Sequence, residues 1–409
     1  MTTPSPDPDD RARSFRFFLG GGALWFGGMG LQQVLIPYLV TVELHEPAAR
    51  VGLAMMMMQL PSLILAFPAG ALADRNDPRL QLIVATALAV LAPLGFAAVL
   101  WSGGLSYPAL LIFGIVIGVA SAFTMTARDT TLALIADPSA MQRAVGAFTI
   151  ATFGAQLTGM ALAGTAQFTG AEPLFVAQAA LIALSAVAIA RTRPLPPRPP
   201  VTTRGRADMA DGLRFARDHA TIRAVLLAML AVGVFYVGSY VVLVPLLVRD
   251  VHNGDAVAFA LVNVCFWGGS VISNLILMRR PIERRGRAML IALTSGAIVL
   301  SLMSLDAPFA VFCLLLTIWG MGAGVSLNMG RTMVQEGTPP ALRGRMLALF
   351  QLGFIGGAPI GAGALGLVAG AAGPQNAMLV ASGCALTIIA LLASLSHLPQ
   401  VTRAHPASG

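Results

Sequence analysis

The ten residues GALADRNDPR (70–79) place two acids and two arginines directly behind VGLAMMMMQLPSLILAFPA (51–69), a run without a single charge. About 20 consecutive apolar residues suffice for an α-helix to cross a bilayer. The run therefore reads as most of a membrane span, predicted over 51–73, and the charged decapeptide as the point where the chain leaves the membrane. Working outward, the whole chain has the same character. Of its 409 residues, 56% are hydrophobic and 11% charged, with a mean hydropathy of +0.79. Soluble domains carry roughly 25% charged residues, so this chain has too few polar side chains to cover a water-facing surface. It is predicted to be an integral membrane protein.

The same ruler predicts twelve spans, over 17–40, 51–73, 80–101, 108–127, 146–166, 174–190, 224–248, 256–278, 288–305, 308–330, 346–371 and 376–396. The first apolar run is longer than the 7–15 residues of a secretory signal core and reads as a retained span. The polar tail ahead of it, 1–16, is expected to be disordered. All 26 basic residues are arginine. With the N-terminus on the cytoplasmic side, only Arg50 and Arg249 fall outside, a strong positive-inside bias. Topology thus accounts for the net charge of +8, and nucleic-acid binding is set aside. Both termini are predicted to be cytoplasmic, in a multi-pass protein of the bacterial inner membrane.

The longest connection, 191–223, starts with the proline-rich RTRPLPPRPP and continues into ADMADGLRFARDHATIR, where Leu213, Phe215 and Ile222 alternate with Arg214, Arg217 and Arg223. A short amphipathic helix is predicted there, either on the membrane surface or as a solvated linker. This loop divides the chain into an N-terminal six-helix half, 17–190, and a C-terminal half, 224–396, followed by a tail over 397–409. The halves look like repeats. RDTTLALIADPSAMQRAVGAF (128–148) and RTMVQEGTPPALRGRMLALF (331–350) each carry an arginine ending one span, a proline, and an arginine opening the next. The expected fold is all-α, twelve transmembrane helices in two pseudo-symmetric halves.

No nucleophile–base pair, phosphate loop or metal-ligand spacing appears, so neither an enzyme nor a metal or cofactor is expected. Cys265, Cys313 and Cys384 sit in apolar runs without metal spacing, and the five histidines form no cluster.

On these residues the chain resembles the major facilitator superfamily. Gly70, Asp74 with Arg75, and Arg79 resemble the family signature of the loop between helices 2 and 3; the usual glycine after the acid–base pair is replaced by Asn76, Asp77 and Pro78, suggesting a shortened or altered turn. DGLRFARDH (211–219), RRPIERRGR (279–287) and PPALRGRMLALFQLGFIGGAPIGA (339–362) are similar to exporters of the enterobactin and macrolide-efflux kind. The resemblance implies alternating access around a substrate site between the halves, proton antiport, a functional monomer, and efflux of drugs or siderophore-like metabolites. It also implies that Asp74 gates the transporter from the N-terminal end of helix 11. Arg75 and Arg79 would pair with carboxylates or lipid phosphates. The second half lacks the motif, with Ser273 near the place of Gly70 and Leu277 at that of Asp74.

Arg128 and Arg331 end equivalent spans, and Arg143 corresponds to Arg343 and Arg345; these are candidate helix-end latches, with Asp129, Asp137 or Glu336 as partners, or else topology anchors. All 18 acids fall in tails, loops or span ends, so no intramembrane carboxylate marks a proton path. Glu43, Glu46 and Asp129 are the candidate carriers nearest a pathway. For the cavity, helical spacing groups Trp25 with Gln32, and Tyr236 with Ser239 and Tyr240. Thr152 and Gln156 in span 5, and Asn263, Ser270 and Asn274 in span 8, complete the candidate lining, with interhelical hydrogen bonds as the alternative role. Such a lining suits a bulky, amphipathic, neutral or weakly charged molecule. The methionines Met55 to Met58 read as pliable packing. Nutrient uptake, or a non-transporting sensor or assembly role, are the alternatives to efflux.

Overall fold

The computed structural model describes residues 8–135, 141–194, 205–279, 282–339, 342–396 and 398–401. Among them twelve helices are long and apolar enough to cross a membrane: Ala12–Glu43, Ala48–Ala66, Pro78–Trp101, Tyr107–Ile135, Arg143–Ala163, Glu172–Ala190, Ala220–Asp250, Ala256–Arg279, Arg285–Met303, Phe309–Glu336, Arg343–Ala372 and Pro374–Leu395. They are numbered here as spans 1 to 12, and they form the all-α architecture that the hydropathy predicts.

One boundary needs correction. The first helix starts at Pro8, so residues 8–16, expected within a disordered tail, are helical. Proline at the first helical position loses no hydrogen bond, and Asp9 and Asp10 occupy the turn where the helix dipole favours acids. Ser14 is buried, and its hydroxyl accepts a hydrogen bond from the Arg193 N–H at 3.1 Å. In the linker, the expected short helix forms over Gly205–Asp218, and its Gly212 faces Arg345 and Met346. Residues 195–204 and the tail from 402 lie outside the described residues.

The chain divides into two compact units. The first comprises residues 1–45, 57–202 and 255–260, and the second comprises 46–56, 203–254 and 261–409. In the first, span 1 packs on spans 5 and 6, and span 3 on spans 4 and 6. Phe18, Leu82, Ala127, Ile135, Phe148 and Ile189 form a buried cluster there. The Met58 side chain packs into the space left by Gly114, and Gly118 lies against the Met58 carbonyl and Pro61. In the second unit, span 9 packs on spans 10 and 12, and span 7 on span 11. The span 7–11 contact is backbone on backbone: a Cβ at Gly238 would come within 2.7 Å of Gly361, one at Gly357 within 2.9 Å of Gly233, and one at Gly361 would overlap the Val234 carbonyl.

Span 7 departs from α-geometry. It contains two π-helical segments, Val232–Val237 and Ser239–Leu243, and span 1 ends in another, Leu39–Glu43. Wide turns of this kind are rare and concentrate at functional sites.

Between spans 7 and 8, His252 lies against Phe309 and Phe312, with ring centroids 5.4 and 4.7 Å away. Burial lowers its pKa below the usual histidine value, against the opposing pull of Asp306. A lowered folded-state pKa adds stability that is present above the unfolded value, about 6.5, and is lost as pH falls through the folded value. Acidification from about pH 7.5 to about pH 5.5 is therefore expected to lower the melting temperature of the wild type more than that of His252→Gln, as read by dye-based unfolding in detergent.

Candidate functional site

The second unit encloses an aromatic cavity of about 110 Å³. Span 7 supplies Tyr236 and Tyr240, span 8 supplies Phe266, Trp267 and Ser270, span 10 supplies Trp319 and Ser326, and span 11 supplies Phe354. The rings form a connected wall. Tyr240 lies 4.3 Å from Phe266, Phe266 lies 5.2 Å from Trp319, and Tyr240 meets Trp319 edge-on at 6.0 Å. Hydrogen bonds fix two of these rings. The Tyr236 hydroxyl donates to the Leu293 carbonyl and the Tyr240 hydroxyl to Asn263 Oδ1, both at 2.7 Å. No described lining residue is charged. A dry engineered cavity of 150 Å³ takes benzene, so this one has room for about one ring of a ligand and not for a whole drug-sized molecule.

Two members of the expected span 7 face, Tyr236 and Tyr240, line this cavity, and Asn263 holds Tyr240. Ser239 turns away, fully buried, with its hydroxyl on the Phe235 carbonyl at 2.5 Å. The π-turns explain the difference, because i, i+3, i+4 spacing defines one face only at 3.6 residues per turn. Phe266, Trp319 and Ser326 were missed by the sequence reading, although Trp319, Gly322 and Ser326 share an i, i+3, i+7 stripe that carries the signal.

The first unit holds the other expected cavity residues. Gln32 is buried and accepts a hydrogen bond from Gln178 Nε2 at 2.9 Å, Gln156 Nε2 donates to Gln33 Oε1 at 2.9 Å, and Thr152 bonds back to the Phe148 carbonyl at 2.8 Å. Trp25 is buried beside a small cavity of about 10 Å³, where its indole N–H, Thr86 Oγ1 and Thr124 Oγ1 have no partner among the described residues. That volume suffices for about one water. In the second unit, Asn328 Nδ2 donates to Asn274 Oδ1. Cys265 in span 8 and Cys313 in span 10 are neighbours.

At the charged loop the second helix ends at Arg75 and the third begins at Pro78, so only Asn76 and Asp77 connect them. Asn76 Nδ2 bonds back to the Leu72 carbonyl at 3.2 Å, and Asp77 caps span 3 by accepting the Arg79 N–H at 2.9 Å. This is the altered turn that Asn-Asp-Pro implies. A Cβ at Gly70 would meet nothing among the described residues. The Asp74 and Arg75 side chains lie outside the described residues.

Among the described residues Arg79 meets no carboxylate. Its guanidinium caps span 6, donating to the Ala190 carbonyl at 2.6 Å and to Thr192 Oγ1 at 2.9 Å. The last carbonyls of a helix lack internal partners and carry partial negative charge, which a cation satisfies. Arg79→Ala is expected to cost about 1 kcal/mol of stability, the low end for a charged hydrogen bond because the site is partly exposed. Detergent melting would read it.

Among the expected latches, Arg128 pairs with Asp129 at 2.7 Å and lies over the rings of Phe26 and Phe148. Arg143 and Arg331 are exposed, and Arg343 donates to the Thr338 carbonyl at 3.1 Å. Arg345 is half-buried, and Asp137 lies outside the described residues. Glu336 pairs with Arg285. Fifty-one residues separate the two, and the sequence gives no local sign of their meeting. The Arg285 side chain is 11% exposed and Glu336 39%. Arg285→Met is expected to cost about 1–2 kcal/mol, less than a fully buried pair because the Glu336 carboxylate is partly exposed to water. Adding Glu336→Gln is expected to recover part of that loss in a melting experiment.

Of the carrier candidates, Glu46 is buried and paired with Arg50 at 3.0 Å, while its carbonyl accepts from Arg249 at 2.8 Å. Asp129 is paired with Arg128. Glu43 accepts from the Tyr38 hydroxyl at 2.7 Å, a neutral partner.

A sequence profile described as the Major Facilitator Superfamily matches residues 18–342. The chain belongs to the major facilitator superfamily. Solved structures of other transporters share its fold. The nucleoside transporter NupG, in a mutant form, superposes with a TM-score of 0.76 at 13% identity, covering 93% of this chain and 99% of that one. A bacterial homolog of the human lysosomal transporter Spinster, inward-facing and unoccupied, reaches 0.73 at 15% identity over 98% of this chain and 100% of its own. An auto-inhibited POT family peptide transporter reaches 0.70 at 14% identity over 97% and 98%. No curated protein matches the chain. Membership in the superfamily makes this a multi-pass membrane transporter. At these identities the neighbours speak to fold alone.

Proposed function

We propose that this superfamily member is an alternating-access exporter, driven by protons, of amphipathic small molecules that carry at least one flat ring. The uncharged aromatic cavity of the second unit carries this reading. Its walls offer π-faces and ring edges, which stack on planar ligands, and no cation to neutralise a phosphate or dicarboxylate. A drug or a siderophore-like catechol meets that description. Glu43 is the preferred proton carrier, because the other two candidates are neutralised by arginine. Asp74 is the gate, and the bacterial inner membrane is the site of action, with both termini cytoplasmic and the monomer as the working unit. The alternative is uptake of a ring-bearing nutrient, since the same walls accept a nucleobase.

Inverted membrane vesicles carrying the protein test the proposal. An acid-inside gradient is established, ring-bearing drugs and catechols are added singly, and lumenal pH is followed. Substrate-dependent alkalinisation, lost in Asp74→Asn and in Glu43→Gln, is the expected result. Alkalinisation that survives in Glu43→Gln removes that residue as carrier. Absence of any response, with substrate accumulation in whole cells, overturns export in favour of uptake.

A further inference from the structure

The second unit carries a groove of about 490 Å³ on its surface between spans 7 and 12. Span 7 lines it from Ala220 to Val234, through Leu227 and Leu230, and span 12 contributes Leu391 and Leu395. These four leucines are exposed, from 41% at Leu230 to 81% at Leu395. On membrane spans such side chains face acyl chains rather than water. Fourteen helical rises separate residues 220 and 234, about 21 Å at 1.5 Å each, while one leaflet of the hydrocarbon core is about 15 Å deep. The groove is therefore long enough to hold an acyl chain over its leaflet depth and to reach the headgroup level beyond.

The headgroup end is basic. Arg223 and Ser396 line it, where span 7 begins and span 12 has just ended. Arg223 is exposed, and its described hydrogen bond goes to a neutral group, the Arg217 carbonyl at 2.5 Å. A guanidinium has five N–H donors, so most of its fork is open to an anion. A groove of similar size, about 510 Å³, on the first unit has Asn76 and Asp77 at its mouth and no arginine among its described lining residues. Apolar walls alone would suit any lipid. An arginine at the mouth adds a preference for an anionic headgroup.

We infer that the groove between spans 7 and 12 is a binding site for an anionic phospholipid, with one acyl chain along Leu227, Leu230, Leu391 and Leu395 and the phosphate on Arg223 and Ser396. The inference goes beyond the transport reading, and its test needs no transported substrate.

Native mass spectrometry of the full-length protein, titrated with phosphatidylglycerol and with phosphatidylcholine of identical chains, provides that test. Wild type is expected to prefer phosphatidylglycerol. Arg223→Gln is expected to weaken phosphatidylglycerol by about five-fold, the worth of one arginine at an anionic surface, and to leave phosphatidylcholine unchanged. Leu391→Trp, which fills the groove, is expected to lose both lipids. Arg214→Gln, which removes an exposed arginine outside the groove, serves as the control for diffuse charge. Equal binding of the two lipids to wild type overturns the inference. So does an Arg214→Gln loss as large as that of Arg223→Gln.

Discussion

Valine at position 361 is expected to leave little folded protein to purify. A side chain there would enter the backbone of Val234, with the carbonyl oxygen, carbon and Cα all inside contact distance. Backbone atoms within two packed helices cannot rotate aside as a flexible side chain can. Overpacking of an ordinary core costs about 1–3 kcal/mol, and this site has no soft neighbour, so the upper end or beyond is expected. That is a large share of a typical net stability of 5–15 kcal/mol. Gly383→Val is the matched control, because a Cβ there meets nothing within 4 Å. The measurement is the yield of monodisperse protein and its melting temperature in detergent. Comparable behaviour of the two variants would show that spans 7 and 11 do not rely on this close approach.

The second large effect is expected at Trp319, which contacts three rings of the cavity wall, those of Tyr236, Tyr240 and Phe266. Trp319→Leu keeps the wall apolar but removes its largest π-face. Aromatic pairs contribute about 0.5–1.5 kcal/mol beyond burial, so about ten-fold weaker affinity for a ring-bearing ligand is expected. Trp101→Leu is the reference, since Trp101 is 67% exposed and outside the cavity. Equilibrium binding of a fluorescent aromatic substrate in detergent distinguishes them. Equal affinities for both variants would remove the aromatic cavity from the binding site.

The architecture was readable because a bilayer imposes one crude requirement on sequence, a long apolar run, and the chain carries twelve of them. The Asn76-Asp77-Pro78 turn was readable for a different reason: cap and proline chemistry act within three residues. Pairings across long separations were not. Arg285 looks like any loop arginine until span 10 brings Glu336 to it, and the charge on Arg79 gives no hint that its partner is a helix end rather than an acid. Gln32 is a case where residue type leaves two roles open. An amide in a span suits a ligand or another amide equally well, and only the fold supplies Gln178. Ser239 failed through geometry, since helical-wheel reasoning assumes a constant residue count per turn and span 7 changes it twice.

That change of count has a consequence for how span 7 tolerates alteration. In an α-helix one residue advances the chain by 100° of rotation, so a wide turn holding an additional residue acts as a phase shift between the segments on either side. Val232 and Tyr236 face the aromatic cavity, while Val234 and Phe235 line the outer groove, and all four belong to the same wide turn. Substitutions at these positions alter one surface at a time. Removing a single residue between 232 and 239 would instead rotate everything beyond it, carrying Tyr240 out of line with Trp319 and Arg249 away from the Glu46 carbonyl. In this helix the number of residues encodes direction, and a one-codon deletion would be a larger event than most replacements.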